Sequence, residues 1–151
     1  MNEEKHVFRV NSAWTGYSDG DGTLTAEDGR KLDYGRPPEM GGAPGRTNPE
    51  EMLLGAVASC YSMTLAILAE RRRLPVTRID VAAEAEVIQE PGGTLKYTAI
   101  HLHPRITLTG DDEAQKKAVL DFAQKAEVYC VISRAVRGNV EITVSPEIVG
   151  A

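Results

Sequence analysis

The clearest periodicity in the chain lies between Asn48 and Arg73. Leu53, Ala56, Val57, Cys60, Thr64 and Ile67 recur at spacings of three, four and seven, which places them on one helical face. Asn48 caps this helix, Pro49 suits its first position, and Glu51 completes a capping-box pattern three residues after Asn48. Arg71, Arg72 and Arg73 put cations where the helix dipole favours them, and Pro75 forbids continuation. An arginine run also invites a phosphate-binding reading, but helix termination accounts for it more simply.

The flanking segments alternate with a period of two. Val7, Phe8 and Val10 suggest a first strand, and Thr23–Ala26 and Lys31–Tyr34 suggest a hairpin about Glu27-Asp28-Gly29. Ile79, Val81, Ala83, Ala85 and Val87 alternate with polar residues along a long strand, and Pro91-Gly92-Gly93 turns the chain back. On the return, Leu95, Tyr97 and Ala99 keep one phase while Ile100, Leu102, Ile106 and Leu108 keep the other, the signature of a β-bulge. Asp111-Asp112-Glu113 opens a second helix with Val119, Phe122, Ala123 and Ala126 inward, and Val140, Ile142 and Val144 form a last strand. The predicted order is β-β-β-α-β-β-α-β, an α+β fold with two main helices on a mostly antiparallel sheet.

Residues 35–49 hold four of the eight prolines and four glycines, which rules out regular structure there. The 34 residues before this stretch are too few for a core of their own, so a long ordered loop inside one domain, residues 1–151, is expected. A net charge of -5 lacks the cationic footprint that nucleic acid or an anionic membrane surface requires. The start of the chain shows no apolar stretch of signal-peptide type, and the apolar run Met52–Cys60 is too short to span a bilayer. A cytosolic location is expected, where disulfides tend to be transient and catalytic.

That compartment bears on the only two cysteines, Cys60 and Cys130. Inert burial, a structural bridge and a reactive pair are the available readings. Buried free cysteine commonly acts as a small hydrophobe, and burial alone raises its pKa. A functional Cys60 therefore needs a cation nearby, for which Arg36 and Arg46 are the nearest candidates in sequence.

The run from Gly41 through Arg46-Thr47-Asn48-Pro49-Glu50-Glu51 into Ala56-Val57-Ala58-Ser59-Cys60 resembles the signature of the OsmC/Ohr family. A second block, Val128-Tyr129-Cys130 with Ser133 and then Arg137-Gly138-Asn139-Val140, is similar to its distal motif. The resemblance covers essentially the whole chain. It implies a cytosolic, intertwined homodimer that reduces organic hydroperoxides without a metal or bound cofactor. Cys60 matches the peroxidatic cysteine, Cys130 the resolving cysteine and Glu50 the family glutamate. Arg36 is the best match to the family arginine and Arg46 the runner-up. Val131 stands where the family commonly has proline. The resemblance further implies recycling by an external dithiol, such as a lipoylated protein. Glu50 and Cys60 lie ten residues apart on one helix, about 15 Å along its axis, so the family's dimer suggests that Glu50 serves the other chain's Cys60.

Other residues carry weaker signals. His101 and His103 share one strand face but lack a third metal ligand nearby in sequence, which favours a solvated face. Ser59 and Ser62 flank Cys60 without a nucleophile-elbow motif. Met52, Leu53, Ala56 and Met63 suit either an alkyl chain or ordinary packing. Two competing readings stand beside the peroxidase: an inactive dimer of the same fold that binds lipid-like ligands, and a thiol redox sensor.

Overall fold

Three strands open the computed structural model, which describes residues 2–150. Met1 and Ala151, the outer limits of the expected single domain, lie outside the described residues. Strands β1 (Val10–Thr15), β2 (Asp21–Ala26) and β3 (Lys31–Tyr34) pair antiparallel in that order. They belong to the first of two compact units, Met1–Met52 and Leu53–Ala151.

In the first unit the β2–β3 hairpin turns where Gly29 takes a φ of 88° and its N–H donates to the Ala26 carbonyl at 3.0 Å. Strand β1 begins at Val10 rather than Val7, because Val10 pairs with Ala26, the last residue of β2. Val7 and Phe8, expected in the strand, have no partner there and are exposed. The Tyr34 ring lies across Gly22, where any Cβ would sit 2.2 Å from it, and packs 5.7 Å from the Trp14 ring. Residues 35–49 are not wholly irregular, since Pro38–Met40 makes one 3-10 turn.

Helix α1 (Pro49–Arg71) starts with the Glu51 N–H donating to Asn48 Oδ1 at 2.9 Å. Glu51 answers by accepting from the Asn48 side-chain amide at 2.7 Å rather than from its backbone, a variant of the expected box. The far end closes at Arg73, whose left-handed φ of 54° ends the helix while Arg72 stacks 5.4 Å over the Phe122 ring. The arginines thus terminate and pack the helix. By length and composition α1 is apolar enough to cross a membrane, so the limit drawn from Met52–Cys60 understates it. Its buried stripe, however, faces a protein core.

In the second unit, β4 (Val76–Gln89) and β5 (Leu95–Leu108) form the long antiparallel hairpin. Glu86 pairs with Ala99 and Val87 with Tyr97, leaving Thr98 as the extra residue of a bulge, where the phase change predicted one. Helix α2 (Glu113–Tyr129) is capped by Asp112, which accepts the N–H groups of Ala114 and Gln115. A short third helix, α3 (Val131–Val136), follows Cys130 and was absent from the predicted order. The last strand is also two: β6 (Glu141–Val144) and β7 (Glu147–Gly150), separated at Ser145-Pro146. Both run parallel to β5, unlike the pairing among β1 to β5. The α2–α3 crossover returns the chain in the same direction, as parallel pairing requires.

The core joins Ile100, Leu102, Ile106 and Leu108 of β5 to Val57, Tyr61 and Leu65 of α1 and to Val119, Ala123 and Ala126 of α2. Phe122, expected to face inward, packs against this core while partly buried. On α1 the predicted stripe is rotated: Val57 and Cys60 are buried with Tyr61, Leu65 and Ala69, whereas Ile67 is 47% exposed. A helix apolar nearly all round does not encode its inward face in periodicity alone.

Candidate active site

Cys60 lies on the buried face of α1 and Cys130 links α2 to α3. Both thiols are free, Cys60 8% exposed and Cys130 fully buried. The two side chains meet, although seventy residues separate them in sequence. Burial pushes the Cys60 pKa up, but hydrogen bonds from the Cys130 thiol, the Ile132 N–H, the Thr64 hydroxyl and the Val131 N–H more than offset it, leaving Cys60 below its ordinary value. Burial pushes Cys130 up, and its bond to Cys60 adds to the rise, while Ser133 and the Ile132 N–H oppose it. The pair is therefore polarised, with Cys60 the more acidic thiol and Cys130 the less. Within residues 53–151 the groups that lower the Cys60 pKa are hydrogen-bond donors.

Local structure explains these donors. Cys130 ends α2 and caps α3 in an extended conformation, φ −71° and ψ 122°. Its sulfur accepts the Ser133 N–H at 3.5 Å, and its carbonyl accepts the Arg134 N–H at 3.0 Å. The first-turn N–H groups of Val131 and Ile132 have no acceptor within α3, as at any helix start; both lower the Cys60 pKa, and Ile132 lowers that of Cys130 too. Val131, where proline is common in the resembled family, thus contributes a donor that proline lacks. Sequence reasoning missed Val131 and Ile132 as donors because it found no helix there. Thr64 was legible only as a position on the stripe, one turn beyond Cys60.

Arg36 and Glu50 come together in the first unit. Both line a cavity of about 240 Å³ with Trp14, Tyr34 and Met40. The backbone of Gly42 presses on Arg36, since a Cβ on Gly42 would lie 1.8 Å from the Arg36 carbonyl oxygen. Gly42 thus allows a close backbone approach that a side chain would obstruct, and Gly41 before it takes a left-handed φ of 88°. Arg46, the runner-up, does not line this cavity. Only 16% exposed, it pairs with the Asp21 carboxylate and donates to the Gly20 carbonyl at 3.3 Å.

His101 and His103 have carboxylate neighbours across the β4–β5 ladder. His101 Nε2 lies 3.4 Å from Glu86, His103 Nε2 lies 3.9 Å from Glu84, and His101 Nδ1 meets Thr143 Oγ1 at 2.6 Å. Among the described residues no three His, Cys, Asp or Glu side chains converge on a point that would hold a metal. Ser59 and Ser62 donate their hydroxyls back to the carbonyls of Ala56 and Ala58 on their own helix.

Fold and site together define an α+β protein built around a buried thiol pair. The family model for OsmC-like protein matches residues 41–145. The chain is 36% identical over 139 residues to uncharacterized protein YmaD of Bacillus subtilis (strain 168), with 91% of each chain covered. It is 28% identical over 125 residues to peroxiredoxin OsmC of Escherichia coli (strain K12), covering 82% of this chain and 84% of that one. A solved structure of an organic hydroperoxide resistance protein OsmC from Legionella pneumophila matches with a TM-score of 0.76 at 26% identity, over 95% of this chain and 99% of that one. The chain belongs to the OsmC-like family.

Proposed function

We propose that this protein is a cytosolic thiol peroxidase that reduces organic hydroperoxides to alcohols. The observation that carries the proposal is the Cys60–Cys130 pair, buried together and polarised in opposite directions. A peroxidatic sulfur must be a thiolate, and a resolving thiol must stand beside it. The relatives' names, peroxiredoxin and organic hydroperoxide resistance protein, agree with this reading.

The Cys60 thiolate attacks the distal peroxide oxygen. A sulfur–oxygen bond forms, the oxygen–oxygen bond breaks, and the alkoxide takes a proton to leave as alcohol. Cys130 then attacks the sulfenic acid on Cys60. The sulfur–sulfur bond forms, hydroxide departs, and the Cys130 proton converts it to water. An external dithiol, for which a lipoylated protein is the expected class, returns both sulfurs to thiols and becomes a disulfide itself. Arg36 is assigned to polarising the peroxide and Glu50 to holding the guanidinium, which their shared cavity supports.

The active species is a homodimer in this proposal. An apolar groove of about 560 Å³ in the second unit supports it, lined by Met63, Ala66, Ala69, Leu74 and Ile79, with Met63 62% exposed. Met63→Asp should shift the sedimentation coefficient towards the monomer, and an unchanged value counts against this face as the interface.

Steady-state consumption of cumene hydroperoxide with dihydrolipoamide or dithiothreitol tests the proposal directly. Repeated turnovers are expected. A single oxidation without turnover would favour a redox sensor, and copurified lipid with no oxidation would favour a binding protein.

A further inference from the structure

Ser133 is 1% exposed, and its hydroxyl oxygen has no hydrogen-bond partner among the described residues. Leaving a buried hydroxyl unpaired is unfavourable, so its position calls for a reason. The residue already touches Cys130, because its N–H reaches the sulfur at 3.5 Å. A neutral thiol is a weak acceptor and gives the hydroxyl little to bond, whereas a thiolate is a strong one. An interaction available only to the ionised form favours that form selectively, as a group that stabilises a transition state does. The Ser133 side chain is near enough to Cys130 to lower its pKa through a hydrogen bond, although the hydroxyl falls short of full hydrogen-bond geometry to the sulfur.

We propose that Ser133 is a positioning residue for Cys130, its hydroxyl turning to the sulfur as the thiol gives up its proton and thereby favouring attack on the oxidised Cys60. The inference rests on the thiol-peroxidase reading. In the step concerned, the Cys130 S–H bond breaks, the Cys130–Cys60 bond forms, and the Cys60 sulfur–oxygen bond breaks. The departing hydroxide takes the proton and leaves as water. Ser133 gains and loses no proton; it only reorients. Before oxidation the bond that Cys130 donates to Cys60 opposes loss of its proton. Oxidation of Cys60 to a sulfenic acid leaves a weaker acceptor there, and Ser133 then stands among the groups that favour ionisation of Cys130.

The test separates this role from the peroxidase reading. In Cys60→Ser protein, Cys130 is the only cysteine left, so its ionisation is followed by ultraviolet thiolate absorbance against pH. Ser133→Ala should raise that midpoint by about one pH unit. In protein with both cysteines, Ser133→Ala should leave sulfenic acid formation on Cys60 unchanged and slow disulfide closure about tenfold. Ser133→Thr and Ser133→Val form the second comparison, equal in shape and differing in the hydroxyl. A cavity of about 210 Å³ bordering Ser133 has room for the added methyl. Thr should restore both readouts and Val should not. An unshifted Cys130 midpoint in folded Ser133→Ala, or equal behaviour of the Thr and Val variants, overturns the inference alone. Failure of the unaltered protein to form any disulfide with hydroperoxide overturns the peroxidase reading and the role in closure with it.

Discussion

The hydroxyl of Tyr61 donates to the Ala123 carbonyl across 2.6 Å, tying the helix that carries Cys60 to the helix that leads into Cys130. Tyr61 is wholly buried one residue from the thiol, and burial without a charged partner holds its phenol protonated far above neutral pH. The bond therefore persists across the range in which the thiols titrate. Tyr61→Phe should cost about 1–2 kcal/mol of stability, read as a lower urea midpoint at unchanged slope. Disulfide closure should slow as well, because the two helices lose their shared anchor. Unchanged midpoint and closure rate would show that packing alone sets the register.

The thiols give a prediction with a defined sign. Cys60 lies below its ordinary value in the folded chain, so its thiolate forms at lower pH than in an unfolded one. Its contribution to stability is present above the unfolded pKa and is lost as pH falls through the folded one. The rate of reaction with hydroperoxide should accordingly have its midpoint below that of an unperturbed cysteine, about pH 8.5. Cys60→Ser should abolish turnover, while Cys130→Ser should react once and accumulate sulfenic acid. Cys130→Ala removes the thiol donor to Cys60 and should move the rate profile upward. A profile centred at the value of an unperturbed cysteine would contradict the polarised pair.

Val131→Pro isolates a single backbone donor. Proline suits the first position of α3, and Cys130, at φ −71° and ψ 122°, already has the extended conformation a following proline demands. Val131 is 66% exposed, so little packing is lost. Thermal stability should change by less than about 1 kcal/mol, whereas the Cys60 rate profile should move to higher pH. Identical profiles would leave Ile132, Thr64 and Cys130 as the sufficient donors.

Arg36 and Arg46 should separate when each becomes alanine. Arg46 is engaged with Asp21 and Gly20, and its loss should lower stability by about 1–3 kcal/mol. Arg36 shares a cavity with Glu50, and its loss should lower kcat/KM at least tenfold with the smaller effect on unfolding. Arg36→Lys should not restore activity if planar, two-point recognition is needed. The reverse pattern would make Arg46 the functional arginine.

Much of this protein was determined by its sequence alone, wherever the signal was local. The Asn48 cap, the Gly29 turn, the bulge at Thr98 and the acidic start of α2 all follow from neighbours within a few residues. Tertiary structure decided the rest. A nearly all-apolar α1 allows several inward faces, and the cores of α2 and β5 selected the one carrying Tyr61, Leu65 and Ala69. The sequence around Val131 shows no helical periodicity over six residues, so α3 and its first-turn N–H groups appear only once Cys130 caps them. The direction of β6 and β7 depends on where the α2–α3 crossover returns the chain. The same holds for the chemistry. Two cysteines and a motif suggested a pair, but the acidity of a thiol depends on which donors reach it. Those donors come from the far end of the chain, brought beside Cys60 by packing rather than by sequence.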